Sequence, residues 1–421
     1  MKIEREITAA GEYDVIVAGG GVAGVAAAVS ARRMGKKTLL IEKTLGLGGL
    51  ATGGLINLFV PMCNGRGIQI IKGMAEELLR LSVKYGYDTI PEPWVNGEPG
   101  SGETMRYCTK FSAPIFTLAL TEFIIKEGVE VLFDTVITAP VMEENHCKGL
   151  VVENKTGCQF YGAKMVVDTT GDADVLFRAG VLTVQGQNYH TYFTKGVNLE
   201  TCRAALESKD MSKLYGGLFF GGRASLYGDH QPEGKPTRAG ATVKDITEYV
   251  VENHLECLER MRTMGDDRRT RTITALPTMP QFRTTRHIHG DYTLQPEDAY
   301  RHFEDSVAVI CDFDRRDYLY EVPYRTLTKT GFSNLITAGR CAAADGYAWD
   351  VLRVIPPAII TGQAAGVACA IAIDDETDIC RIDMKKLQRI LEEQDVMIHF
   401  DDSLVPEVER EDTRGGADGH F

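Results

Sequence analysis

The ten cysteines of this 421-residue chain include no C-x-x-C pair, and the nearest two are 11 positions apart. That excludes the ligand spacings of zinc ribbons and iron–sulfur clusters. It also excludes a dithiol centre, so any redox chemistry must come from a bound cofactor. Scattered thiols of this kind are expected to be reduced, which points to the cytoplasm. A basic stripe is missing too: 46 Lys and Arg face 59 Asp and Glu, a net charge of −13. The nearest thing to one, the arginines at 268–271, follows Asp266 and Asp267. No nucleic-acid partner is expected. No internal repeat is visible. Long uncharged runs are scarce, and the one over 354–373 opens Val354-Ile355-Pro356-Pro357 and carries Gly362, Gln363 and Gly366. Its 20 residues meet the length of a membrane span, but its small and polar residues suit a buried helix, so no span is expected.

What is present is ordinary for a globular enzyme: 44% hydrophobic and 25% charged residues, with 43 glycines. At roughly 150 residues per domain, the length suits a large α/β unit carrying an inserted cap. Residues 13–18 form a short apolar run, read as a buried strand. Glycines break it, a small-residue helix follows over 22–34, and 38–42 is the next strand. A helix is expected at 68–85, another at 113–126, and strands at 129–133, 136–141, 148–153, 159–162 and 164–168. Between 185 and 324 the rhythm breaks into glycine-rich and aromatic turns, with one long helix at 243–264. A last strand (335–339) and a last helix (357–373) follow. The tail from 401 to 421 is acidic and glycine-rich and is expected to be disordered.

Gly19-Gly20-Gly21-Val22-Ala23-Gly24 matches G-x-G-x-x-G, with a strand before it and a helix after. Gly19 permits the tight turn, Gly21 lets backbone approach a pyrophosphate, and Gly24 allows close helix–strand packing. The helix N-terminus offers free N–H donors and partial positive charge to phosphate. Glu42 ends the second strand, where a carboxylate accepts both ribose hydroxyls and repels a 2′-phosphate. The fingerprint fits NAD and FAD equally.

Further motifs separate them. Gly46-Leu47-Gly48-Gly49-Leu50-Ala51-Thr52, the stretch around Val136, Asp168-Thr169-Thr170-Gly171-Asp172-Ala173-Asp174, and Gly339-Arg340-Cys341 followed by Ile355-Pro356 occur in this order. Together they resemble the FAD-dependent oxidoreductases of the two-dinucleotide flavoprotein superfamily, distantly related to fumarate reductase flavoproteins. The resemblance runs from about residue 13 to 395. It implies a Rossmann-like FAD-binding domain (1–55, 110–185 and 325–400) with an inserted α+β substrate cap (56–109 and 186–324). It implies FAD contacts from Gly19, Gly21, Val22, Ala23, Gly24, Glu42, Lys43, Gly48, Gly49, Leu50, Ala51, Val136, Thr170, Gly171, Asp172, Gly339, Arg340, Arg353 and Ile355. Arg340 departs from the Gly-Asp common in that superfamily, so the ribityl contact is expected from backbone or Asp345. No second glycine fingerprint follows, so no built-in nicotinamide domain is expected.

The resemblance also places an arginine-rich cap stretch near the flavin. Within Arg283-Thr284-Thr285-Arg286-His287-Ile288-His289, Arg286 is expected to contact an anion and His289 to act as acid or base. Strand alternation would put Arg283, Thr285, His287 and His289 on one face. His287 and His289 lack a third ligand in sequence, so no metal site is expected. Tyr347 and Trp349 are candidates to pack on the flavin or to fill core. The expected function is hydride transfer between a small organic substrate, anionic on this reading, and flavin N5. A separate electron donor or acceptor would be a further partner. The alternatives are a non-redox or internal-redox dinucleotide enzyme of isomerase or lyase type, and a flavoprotein subunit feeding an electron-transfer partner.

Overall fold

A single mixed sheet of seven strands organises the computed structural model, which describes residues 6–214, 220–263 and 268–406. Its strands are β1 (Thr8–Ala18), β2 (Thr38–Ile41), β3 (Glu130–Leu132), β4 (Val136–Glu143), β5 (His146–Asn154), β6 (Gly157–Asp168) and β7 (Leu335–Thr337). The order is β3-β2-β1-β6-β5-β4, with β7 also paired to β6. β1, β2, β3, β6 and β7 are parallel, while β4, β5 and β6 form an antiparallel meander. Val15 to Ala18 are fully buried, as are Leu40 and Val167. Strands covered on both faces read as continuous apolar runs, which is why these were visible in sequence. The runs at 159–162 and 164–168 are one strand, β6, which pairs in parallel with β1 along most of its length, while its first half also pairs with β5 and its second half with β7.

The helices are α1 (Val22–Arg33), α2 (Met74–Val83), α3 (Ala113–Lys126), α4 (Asp174–Arg178), α5 (Leu199–Ser208), α6 (Val243–Thr263), α7 (Gly346–Leu352), α8 (Ile355–Asp374) and α9 (Met384–Glu393). α2 begins six residues later than the apolar pattern suggests, because Gly73 at φ +56° precedes it. α1 and α8 pack against each other through small residues. A Cβ on Gly362 would stand 2.2 Å from the Ala23 carbonyl oxygen, and one on Gly366 2.3 Å from that of Ala27. α8 is the one described helix long and apolar enough to cross a membrane, and its apolar window lies entirely inside the protein.

The segments 56–109 and 292–324, expected in the cap, share the large core with α1 and α8 through Phe59, Trp94, Tyr107, Val309 and Tyr320. Within the segment expected to be the cap, a second core is small: Tyr192, Tyr249, Cys257 and Phe282. Residues 401–406 also differ from expectation. They form a turn in which the Asp401 carboxylate accepts from the Ser403 N–H at 2.8 Å and Leu404 and Val405 pack on the core. Residues 407–421, and 215–219 of the aromatic turn, lie outside the described residues.

Candidate active site

At the carboxyl end of the parallel strands lies a cavity of about 350 Å³, the place where open α/β sheets bind ligands. The β1–α1 turn forms one wall. Gly19 sits at φ +104°, and a Cβ there would meet the Thr169 carbonyl oxygen at 2.7 Å. A Cβ on Gly24 would stand 1.9 Å from the Gly19 oxygen, so helix and turn touch backbone to backbone. At Gly21 nothing lies within 4 Å: the space a side chain would fill is cavity. The first bond of α1 runs from the Val25 N–H to the Gly21 carbonyl, and no side chain caps the helix. Its earlier N–H groups are therefore free to meet an anion. Glu42, 7% exposed, accepts from the Gly20 N–H at 2.7 Å and the Thr44 N–H at 2.8 Å. Those bonds hold the carboxylate in the cavity wall with lone pairs to spare.

Beside that wall, α8 starts at the cavity through Ile355 and Ala358. Val354 is its N-cap without a side-chain cap, and Pro356 and Pro357 occupy the first turn, where no N–H is missed. Two buried helices, locked together by glycine contacts, thus aim their positive ends into one space. Fixed donors beside a glycine-lined opening, with Glu42 set for ribose hydroxyls, fit a flavin dinucleotide.

All the expected cofactor contacts except Gly24 and Asp172 line this cavity. Gly24 works by packing. Asp172 turns its carboxylate away, accepting from Thr285 Oγ1 at 2.6 Å and from the Arg340 guanidinium at 2.8 Å. Arg340 also donates to the Gly171 carbonyl at 2.7 Å and to that of Phe282. The superfamily's aspartate is thus replaced by an arginine tied to an aspartate on the neighbouring loop. Asp345 is exposed, caps α7 by accepting from the Gly346 N–H, and does not line the cavity.

The two expected catalytic residues stand elsewhere. Arg286 donates to the Asp172 carbonyl at 2.8 Å and to Asp174 at 2.6 Å, with Phe177 under its guanidinium at 4.1 Å. It clamps the cap strand to the α4 loop. His289 is exposed, with Nδ1 at 3.4 Å from Lys329 Nζ. Neither lines the cavity, and no histidine does among the described residues. The alternation argument failed because the strand here covers only Arg286–Ile288. Trp349 and Tyr347 are core filler: Trp349 donates to the Arg340 carbonyl and packs edge-on to His287, and Tyr347 donates to Asp312.

The cap arginine that does line the cavity is Arg283, together with Thr278, Met279 and Arg353. Arg283 donates to the carbonyls of Ala224 (3.1 Å) and Ser225 (3.3 Å). Burial, with Arg353 adjacent, pulls its guanidinium down to about 10. Arg353 is paired with Asp350 at 2.6 Å. In sequence, Arg283 was indistinguishable from Arg286.

The FAD dependent oxidoreductase family matches the chain over residues 14–213 and 227–391. The chain belongs to that family. It is a flavoprotein of the oxidoreductase class, and its cofactor is FAD. It is also similar to the tRNA uridine 5-carboxymethylaminomethyl modification enzyme MnmG of Lactobacillus johnsonii, at 31% identity over 185 residues, 38% of this chain. The match spans about a quarter (24%) of that relative's length. Among solved structures, the flavoprotein resembles a geranylgeranyl bacteriochlorophyll reductase-like protein from Thermoplasma acidophilum (16% identity, TM-score 0.44, covering 91% of this chain and 84% of that one). It also resembles adenylylsulfate reductase from Archaeoglobus fulgidus (16% identity, TM-score 0.45, 92% and 74%).

Proposed function

We propose that the protein transfers a hydride between a small organic anion and its FAD, and that Arg283, rather than Arg286, holds the anion. FAD, when bound, supplies a two-electron centre at N5. The residues of the chain supply place and charge. The observation that carries the reading is Arg283: a largely buried guanidinium on the cavity wall whose hydrogen bonds go to neutral carbonyls rather than to a carboxylate. The nearby opposite charge, Asp350, is already paired with Arg353, and burying a charge so weakly compensated is costly. A carboxylate or phosphate on the substrate would complete the pair and accept two of its N–H groups. Arg353 lies on the same wall with its charge largely met by Asp350. Thr278 is tied to the glycine-rich stretch 46–54 by its N–H bond to the Gly53 carbonyl at 2.9 Å, which holds residues of the 278–283 segment at the cavity wall. Orientation against a fixed cofactor then supplies most of the rate.

The test is anaerobic bleaching of the flavin absorbance with organic acids and with their neutral amides or esters. An acid should bleach the flavin where its amide does not. Arg283→Met should raise KM for that acid by about 10- to 150-fold, the value of one charge-assisted hydrogen bond at about 1.5–3 kcal/mol. Equal turnover of acid and amide, or an unchanged KM in Arg283→Met, would refute the anionic reading.

A further inference from the structure

Away from the cavity, three distant stretches of chain meet at one buried carboxylate. Glu321 lies in the strand Leu319–Pro323, which pairs with Ser306–Cys311, and it has no solvent exposure. The segment that follows α9 lies against this hairpin: the Val309 N–H donates to the Met397 carbonyl at 2.7 Å, and Ser306 Oγ donates to that of Ile398 at 2.6 Å. Glu321 Oε2 accepts from the Phe303 N–H at 2.7 Å. Its other oxygen, Oε1, faces two imidazole nitrogens, His302 Nδ1 at 2.6 Å and His399 Nδ1 at 3.0 Å. All three atoms lie within 4.8 Å of one another. The ion-pair partners of this buried carboxylate are these two histidines, whose side chains are 44% and 46% exposed.

One carboxylate oxygen facing two ring nitrogens is met by two donated N–H groups, and equally by a divalent cation that all three atoms ligate. Two imidazoles and a carboxylate are the donor set of zinc and its first-row neighbours rather than of magnesium or calcium. With bonds of about 2.0–2.1 Å, tetrahedral ligand atoms stand about 3.3 Å apart. The observed 2.6 and 3.0 Å therefore open by about 0.7 and about 0.3 Å, movements that half-exposed imidazoles can make. A further feature suits a metal. His302 Nε2 faces Asp402 Oδ1 at 3.0 Å. A carboxylate accepting the outer N–H fixes the tautomer that leaves Nδ1 free to ligate.

We propose that His302, Glu321 and His399 form a site for a divalent transition cation such as Zn²⁺, with Asp402 orienting His302 and water closing the exposed side. The ion would fasten the C-terminal segment to the hairpin, at a site independent of the FAD cavity. His302 and His399 stand 19 and 78 residues from Glu321, so no ligand spacing reveals the cluster in sequence.

Calorimetric titration of the FAD-loaded protein with ZnCl₂, after chelator treatment and dialysis, tests this. The expected result is one site per chain with a micromolar or tighter Kd, and no heat from MgCl₂ at the same concentrations. His399→Gln and His302→Gln should each weaken Zn²⁺ binding at least tenfold while retaining the flavin absorbance, which reports that the variants fold. Their exposed positions keep the test usable if Glu321→Gln does not fold. Zn²⁺ should also raise the Tm of the parent protein and not that of the double histidine variant. No stoichiometric binding to the parent protein would overturn the proposal. An unchanged Kd in the double variant would also overturn it, placing the ion elsewhere, for instance at the exposed Cys202.

Discussion

Gly21 and Gly362 make opposite predictions for the stability of the apoprotein under the same substitution. At Gly21 the backbone lies at φ −64° and ψ 175°, open to any residue, and no atom lies within 4 Å of an added Cβ. Alanine there loses nothing in the apoprotein and removes backbone freedom from the unfolded chain, worth about 0.4–1 kcal/mol of added stability. The same methyl projects into the space where the cofactor pyrophosphate must approach the α1 N–H groups. Losing one charge-assisted hydrogen bond costs about 1.5–3 kcal/mol, or about 10- to 150-fold in affinity for Gly21→Ala, and Gly21→Leu should abolish retention. At Gly362 the added Cβ falls 2.2 Å from the Ala23 carbonyl oxygen, about an ångström inside normal contact. Two buried helices must separate to admit it, and overpacking of this kind costs about 1–3 kcal/mol or more. Gly362→Ala should therefore destabilise the apoprotein and weaken FAD binding together. The assays are thermal unfolding of flavin-stripped protein and quenching of flavin fluorescence on titration. If Gly21→Ala binds FAD as the parent does, or if it destabilises the apoprotein as Gly362→Ala does, the assignment of this turn as the pyrophosphate cradle is wrong.

Other consequences follow from single side chains. Asp168, almost fully buried, accepts from the N–H groups of Thr170, Val175 and Leu176 and from Thr170 Oγ1, so it shapes the loop before α4. Asp168→Ala should cost about 3 kcal/mol or more, with several donors left unpaired; denaturant midpoints check this, and a loss below 1 kcal/mol would refute it. Arg286→Ala should lower Tm by releasing Asp174 and the cap strand, while KM for an acid substrate stays near that of the parent; a kinetic loss without a thermal one would return Arg286 to the site. Lys195 is lowered from 10.5 to about 8, first by burial and then by Lys110. The folded state then holds fewer protons than the unfolded chain between pH 8 and 10.5, so the charge-burial cost is full below pH 8 and relieved as pH rises. Lys195→Met should flatten the rise in stability across that window, which can be read from urea midpoints at pH 7, 8, 9 and 10. An unchanged slope would show that Lys195 keeps its proton.

Much of the core was legible because buried parallel strands declare themselves. The apolar run at 13–18, the glycines from Gly19 to Gly24 and the acid at Glu42 are local in sequence, and each does its work within one βαβ unit. The α8 turn was legible for the same reason, since Ile355-Pro356-Pro357 states its own geometry. The substrate side was not. Arg283 and Arg286 are three residues apart, and which one faces the cavity depends on where a three-residue strand begins. That boundary is set by pairing with Thr183–Gln185, a hundred residues earlier. The placement of 56–109 against α1 and α8 likewise rests on contacts such as Gln363 Oε1 accepting the Met74 N–H, 289 residues apart.

Charge makes the site unlike the rest of the molecule. The chain carries −13 overall, yet the cavity wall holds Lys43, Arg178, Arg283, Arg340 and Arg353 against only Glu42 and Asp174. Two helix N-termini add to the same sign. Several of these cations have partners: Arg340 has Asp172, Arg353 has Asp350, and Arg178 has Asp174 at a loose 3.9 Å. Those pairs shape the wall and leave little charge for a ligand. The helix ends and Arg283 are different, because their donors meet only neutral groups or none. A diphosphate fits the first and an acidic substrate the second, and neither site competes with the other for a counterion. The replacement of the superfamily's aspartate by Arg340 fits this logic, since its carboxylate partner lies on the Asp172 loop. A positive cavity in a negative molecule also narrows entry, because the outer surface repels small anions and only the mouth attracts them.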